Sequence, residues 1–562
     1  MPRRLLDRLE AWKSRYGAPD TGELEKLLKA AALHRFATAD ELERLHETAL
    51  FLRAWPHTPA VARLADAILH GFGRRIAGWV SRGGDPDAFE DPEISGIAGT
   101  SLSGVFTWDA VRSLARRHPR NLEIAWDRAD DPERLAPAAA RLLPLLDEEW
   151  PVEAHTRERE WIGAARPRGA SELAWLVERF ERSPLPARDR TDLWGAAALP
   201  LTWKIGDTPA SRSRLRLPRG AAKLFCHREP LLARRDVSLE RELAAPPLAV
   251  RRLPRPEGRR VLDLILDTSA VRYRELYGFN FPDEGRVFHA DAGRGVDIWF
   301  FGVPPGRRLP LRAYHAGMFA KNGVPAGYIE VLSLFERAEV GFNLYYTFRE
   351  GESAWLYARL LRLFRQVLGV TVFSIDPYQI GHENPEAIDS GAFWFYRKLG
   401  FRPASREAAR LLAREEGRIG RDPAHRSGPA TLEKLAESPM IYDRHSPAEG
   451  AWDDFLIGNV ELAVARLVAH RFAGDPERLR RAATLRAERV LGVKSPAGLA
   501  LIFGLIPGLE KWTQAEKSAA RAIAAAKEGP SEARYLGLMR RHATFRAALL
   551  ALGGLTPAGR SR

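Results

Sequence analysis

Side chains able to move a proton, hold an anion or attack a carbon occur along the whole chain, and those whose order suggests chemistry fall between residues 330 and 396. Asp376-Pro377-Tyr378-Gln379-Ile380-Gly381-His382-Glu383-Asn384 puts carboxylates, an imidazole and amides into one loop, where Asp376, His382 and Asn384 can orient a bound group by hydrogen bonds. His382-Glu383 is not a metal signature, because Glu386 stands where a second histidine would be needed, and no metal is expected. Phe348-Arg349-Glu350-Gly351-Glu352-Ser353 leads into an amphipathic stretch. A helix N-terminus there would offer unpaired amides and a partial positive charge to an anion. Glu350 and Glu352 oppose that use unless Arg349 or lysines offset them, and the alternative is a helix capped by its own acids. Cys226-His227 pairs a thiol with a base, but neighbours on a strand point to opposite faces, so a structural role is expected. Gly96–Gly104 lacks the Gly-Lys-Ser/Thr ending of a phosphate loop and reads as a structural turn, and Gly293-Arg294-Gly295 reads as a hairpin turn.

The chain that must position these groups has 562 residues, too many for one ordinary core, so roughly two to four domains are expected. Hydrophobic residues at 45% and charged residues at 28% exclude a disordered or collagen-like chain. Against 72 Asp and Glu stand 86 Lys and Arg, a formal charge of +14. That excess attracts nucleotides, nucleic acid or a lipid surface at long range, but arginine spread along the whole chain reads first as a solvated surface. A single cysteine, Cys226, excludes an intramolecular disulfide and fits a reducing, cytoplasmic setting. Met1–Tyr16 alternates charge with Leu5, Leu6, Leu9 and Trp12, which makes an amphipathic helix rather than a signal peptide. The longest apolar run, Ala497–Leu509, is broken by Gly504, Pro507 and Gly508 and is shorter than the ~20 residues of a membrane span.

From Asp20 to about Ala165 the periodicity is helical, without strand-like alternation; Thr38 and Glu41 form a capping box before Leu42, Leu45 and Ala49. Frequent prolines break up 166–255, and its basic stretch Arg212–Arg219 reads as a solvated loop or a contact for an acidic partner. After Gly258 the pattern turns to strands: Val261–Leu266, Val287–Ala290, Val296–Val303, Leu311–Ala320, Ala326–Leu334 and Glu339–Phe348. Asn322-Gly323 predicts a tight hairpin turn. Ser353–Leu368 is an amphipathic helix, with Leu356, Leu360, Leu363, Phe364 and Val367 on one face, and Val370–Ile375 is a buried strand. Helical patterns return beyond Pro403.

This order of elements, closed by Ala392-Phe393-Trp394-Phe395-Tyr396-Arg397-Lys398-Leu399-Gly400-Phe401, resembles the GNAT superfamily of N-acetyltransferases over roughly a quarter of the chain. The resemblance implies an α+β protein: a central GNAT-like mixed sheet with helices at 256–405, flanked by a helical region at 1–165, a Pro/Arg-rich connecting lobe at 166–255 and a helical region at 406–562. It further implies two strands that splay apart, with the pantetheine arm of acetyl-CoA or another acyl-CoA in the gap and its diphosphate on the next helix. Asn343, Leu344, Tyr345 and Tyr346 then border the arm, amides near Asn343–Tyr345 hold an oxyanion, and Arg349, Gly351 and Ser353 form the diphosphate loop. That loop keeps one glycine of the family's Gln/Arg-x-x-Gly-x-Gly/Ala pattern, and Asp389 stands where the family has an Asn. Tyr396 matches the tyrosine that protonates the departing thiolate in many members, with a packing or coenzyme contact as the alternative. Glu330, set among Tyr328, Ile329, Val331 and Leu332, is the first candidate for the base, ahead of Glu339 and Glu336, and a solvent-facing strand residue is the alternative. Asp376, His382 and Asn384 would orient the acceptor.

The function implied is acyl-CoA-dependent N-acyltransfer, an acetyl group passing to a small-molecule or protein amine. Alternatives are a GNAT-like transferase using another donor such as aminoacyl-tRNA, which would bind nucleic acid, and a non-catalytic scaffold with a degenerate core.

Overall fold

The computed structural model describes residues 2–17, 20–129, 132–142, 158–206, 208–220, 223–273, 276–446, 450–493 and 498–554. Among these residues two sheets stand in a fold that is otherwise mostly helical. The smaller is antiparallel, in the order β1 (Ser101–Val105), β3 (Pro200–Lys204), β2 (Leu122–Ile124). β1 and β2 interrupt a region whose periodicity predicts helix alone, because two or three inward residues per strand are too few to register as alternation, and β3 comes from the proline-rich stretch. Leu102, Leu201 and Trp203 bury themselves against surrounding helices and form a core of their own.

The larger sheet has nine strands: β4 (Ala249–Arg252), β5 (Phe288–Gly293), β6 (Val296–Gly302), β7 (Ala313–Lys321), β8 (Val324–Leu334), β9 (Arg337–Leu344), β10 (Val372–Ile375), β11 (Arg402–Pro403) and β12 (Met440–Asp443). Across the sheet they lie in the order 11-12-10-9-8-7-6-5-4. Strands 4 to 9 form an antiparallel meander; Asn322 and Gly323 turn between β7 and β8 with φ of 51° and 79°, the positive values a tight hairpin demands. Among the described residues the β9–β10 pair alone is parallel, which requires a crossover, supplied by the helix Ser353–Leu368. That helix forms where its apolar spacing predicts, ending at Gly369 with φ 68°.

The sheet reaches outside 256–405, taking β4 from the proline-rich stretch and β12 from the C-terminal region. One face meets the main core, to which both terminal regions contribute, from Leu6 to Leu549. The other face packs Tyr314, Ala316 and Met318 against Val261, Leu262 and Ile265. Here the expected strand Val261–Leu266 is corrected: it lies inside a helix, Arg255–Ala270. The β-branched composition suggests a strand, but Val261 and Ile265 are four apart on one helical face, and Pro256 in the first turn suits a helix start.

Arg212–Arg219 departs from a solvated loop in the same way. Arg212 is buried and holds Glu47 at 3.0 Å, while Arg216 pairs with Asp66. Among the described residues no helix is long and apolar enough to cross a membrane.

Candidate functional site

β9 and β10 pair only over Arg337–Glu339 and Val372–Ser374. Past that point β9 runs on to Leu344, whereas β10 stops at Ile375. The stop is local chemistry. Pro377 has no amide hydrogen to extend a ladder, and Asp376 accepts a hydrogen bond from the Tyr378 amide at 2.9 Å, turning the chain into the short helix Pro377–Ile380. The outer edge of β9 is therefore uncovered by strand. Phe342 faces it, since its amide donates to the Gln379 side-chain oxygen at 3.2 Å, and the two-residue period turns the Leu344 backbone the same way.

A cleft of about 470 Å³ opens at this edge, bordered by Glu330, Phe342, Leu344, Ser353 and Tyr396 among others. Glu330 lies opposite Gly341 on β8 and β9 and accepts a hydrogen bond from the Tyr314 hydroxyl. Burial pushes its carboxyl pKa up, and the Tyr314 bond pulls only partly the other way. Tyr396 lies on the helix Ala392–Arg397, which Gly391 opens in the left-handed conformation at φ 69°. The residue is 4% exposed, and its ring packs edge-on against Tyr357 at 5.4 Å. Burial raises the phenol's pKa, so the hydroxyl keeps its proton at neutral pH. Gly400 follows at φ 103°, and Phe401 folds back fully buried.

Ser353 brings the start of the Ser353–Leu368 helix to the same cleft, and among the described residues no side chain caps that helix. The acids that oppose an anion there are both engaged elsewhere. Glu350 pairs with Lys13 at 2.8 Å. Glu352, 1% exposed, is buried under Arg294 and Lys321 and accepts from the Leu232 amide at 3.1 Å. Burial beside Arg294 lowers the Lys321 pKa to about 7, with Glu352 opposing the fall. His227, three residues short of this chain's Pro230, is buried in the same cluster, 3.9 Å from Glu352, and burial with Lys321 and Arg294 nearby lowers its pKa to about 2. Arg349 borders the cleft and bonds Glu386, a carboxylate whose position the sequence does not reveal.

Several residues implied by the family resemblance stand apart from the cleft. The Tyr345 amide donates to Ala326 at 3.0 Å and is not available to an oxyanion; its ring lies 4.4 Å from the Arg272 guanidinium. Tyr346 is 55% exposed beside Arg349. Gly351 sits against Trp55, where a Cβ would come within 2.8 Å of the indole, so its smallness serves packing. Of the loop residues, Asn384 borders the cleft but acts as a brace, donating to Tyr378 at 3.0 Å and accepting from Ala387 at 3.2 Å. His382 is not among the residues bordering it, and Asp376 borders a neighbouring cleft. Asn343 does border it. Glu336 is held by Arg546 and Trp452, and Glu339 lies between Arg312 and Arg337.

Gln379 and Tyr314 are the groups that the sequence does not single out. Among the described residues no cluster of three or more His, Cys, Asp or Glu side chains can hold a metal ion. Compared with protein-family models, curated proteins and solved structures, the chain gave no match.

Proposed function

We propose that this protein is an acyl-CoA-dependent N-acyltransferase with a GNAT-type central sheet. One observation carries the reading: β9 outruns β10, so backbone amides at Phe342 and Leu344 face a cleft that ends on an uncapped helix start and is bordered by both Glu330 and Tyr396. An extended pantetheine arm has the amide groups to pair with such an edge, and a diphosphate suits the start of the 353–368 helix. In this reaction Glu330 takes a proton from the acceptor amine, directly or through water, as the nitrogen attacks the thioester carbon. The edge amides hold the oxygen that becomes negative. The C–S bond then breaks, and the Tyr396 hydroxyl gives its proton to the departing sulfur.

Two contacts favour a second reading, a scaffold whose core no longer takes a donor: Gln379 already occupies the Phe342 amide, and Glu386 holds Arg349. Calorimetric titration of the full chain with acetyl-CoA and longer acyl-CoAs separates the two. Micromolar binding is expected, weakened roughly tenfold or more by Ser353→Asp, which adds a carboxylate at the helix start while favouring the helix itself. Absence of heat with every acyl-CoA overturns the acyl-CoA reading. Salt-sensitive RNA binding in its place would move the donor to aminoacyl-tRNA, consistent with the net charge of +14.

A further inference from the structure

A second cleft of about 350 Å³ adjoins the first along the sheet, and we propose that it binds the acceptor, a primary amine carrying a carboxylate at its far end. This rests on the acyltransferase reading. Glu330 lies opposite Gly341, and the next pair on the same face, Leu332 and Glu339, already borders the second cleft, about 7 Å along the strands. The turn after β10 divides itself between the two, with Tyr378 and Gln379 bordering the first and Asp376 and Pro377 the second. A molecule lying in the second cleft therefore presents one end to Glu330.

The walls define what that molecule is. Leu332, Leu334, Phe455 and Ile457 supply an apolar stretch suited to a chain of methylenes or small side chains. The charges beyond it are not equivalent. Arg337 is committed to the fold, donating to the Ser374 hydroxyl at 2.9 Å and to the Phe455 carbonyl at 3.2 Å. Arg312 approaches Glu339 only to 3.6 Å, and among the described residues its guanidinium makes no hydrogen bond. It is 26% exposed and can take a carboxylate through two parallel N–H bonds. Arg312 directly precedes Ala313, the partner of Ser333, and so stands level with Leu334, two same-face steps from Glu330. The strand rise makes that about 13 Å, and the reach of the arginine shortens it, so amine and carboxylate lie roughly 10 Å apart. An ω-amino acid of that length or a short peptide has this form.

The probes are 8-aminooctanoate and octylamine, which share the amine and the chain but differ in the carboxylate. Titrated into the full protein without donor, 8-aminooctanoate is expected to bind roughly tenfold or more tightly than octylamine, and Arg312→Ala is expected to erase that difference while Arg312→Lys restores part of it. Acyl-CoA affinity, measured in parallel, should be the same in the Arg312 variants as in the wild type. Equal binding of the two probes to the wild type, or a preference for the carboxylate that survives Arg312→Ala, overturns the assignment. Heat with acyl-CoA together with either of those results leaves the acyltransferase reading standing and removes only the acceptor site. Carboxylate-dependent binding to a protein that takes no acyl-CoA removes the acceptor role.

Discussion

Burial acts on Glu330 and Tyr396 in the same direction and with opposite use. It raises both pKa values, which moves a carboxyl toward the pH where it can be a base and keeps a phenol protonated as an acid. Glu330 works only when ionised, so the rate should fall as pH drops through its raised pKa. Glu330→Gln should lower kcat by roughly 10²- to 10⁴-fold and abolish that acid limb, with acyl-CoA affinity intact. A pH–rate profile of the same shape in the variant would assign the proton transfer to another group. Tyr314 matters here because its hydroxyl fixes the carboxylate and damps the shift.

The short helix Pro377–Ile380 replaces what would otherwise be more of β10, and Gln379 projects from it onto the edge of β9. A donor that pairs with that edge must break the bond between Gln379 and Phe342. A hydrogen bond of this kind contributes about 0.5 to 1.5 kcal/mol net, so Gln379→Ala should tighten acyl-CoA binding by roughly two- to tenfold. Weaker binding in that variant would make Gln379 a ligand of the donor instead of a competitor. The parallel β9–β10 junction makes this edge available: strands joined by a helix need not pair along their whole length, whereas a hairpin draws its strands together.

At the scale of the molecule, the N-terminal helices are tied to the site through a buried ionic network. Glu47, on the helix Ala39–Ala54, is held by Arg212 and by the Thr347 hydroxyl, which lies in the turn leading to Arg349 and Ser353. Burial raises the Glu47 pKa, but Arg212, His46 and Thr347 outweigh it and hold the group at about 2. Its folded pKa is thus below the unfolded 4.5, so the stabilisation is present above pH 4.5 and is lost as pH falls from there toward 2. The amount is on the order of 3 kcal/mol. Glu47→Gln should lower the melting temperature at pH 7 and flatten the loss of stability below pH 4.5, as read by thermal scans across that window. Parallel curves for variant and wild type would show that another carboxylate governs acid unfolding.

Local rules in the chain determined the β5–β9 strands, the Asn322-Gly323 turn, the Ser353–Leu368 helix and the close at Gly400-Phe401, because hydrophobic period, turn chemistry and helix stops act within a few residues. Tertiary structure alone decided which side chains meet. Between Phe319 and Ala320 the β7–β8 register shifts by one residue. Without that bulge Glu330 would face His315, and Tyr314 would lie on the opposite side of the sheet. Glu350 and Glu352 look like obstacles to an anion in the sequence, yet Lys13, Arg294 and Lys321, distant in the chain, draw them into ion pairs of their own. β4 and β12 join the sheet through pairings as remote as Ile375 with Met440, and such partners leave no periodicity from which to read them.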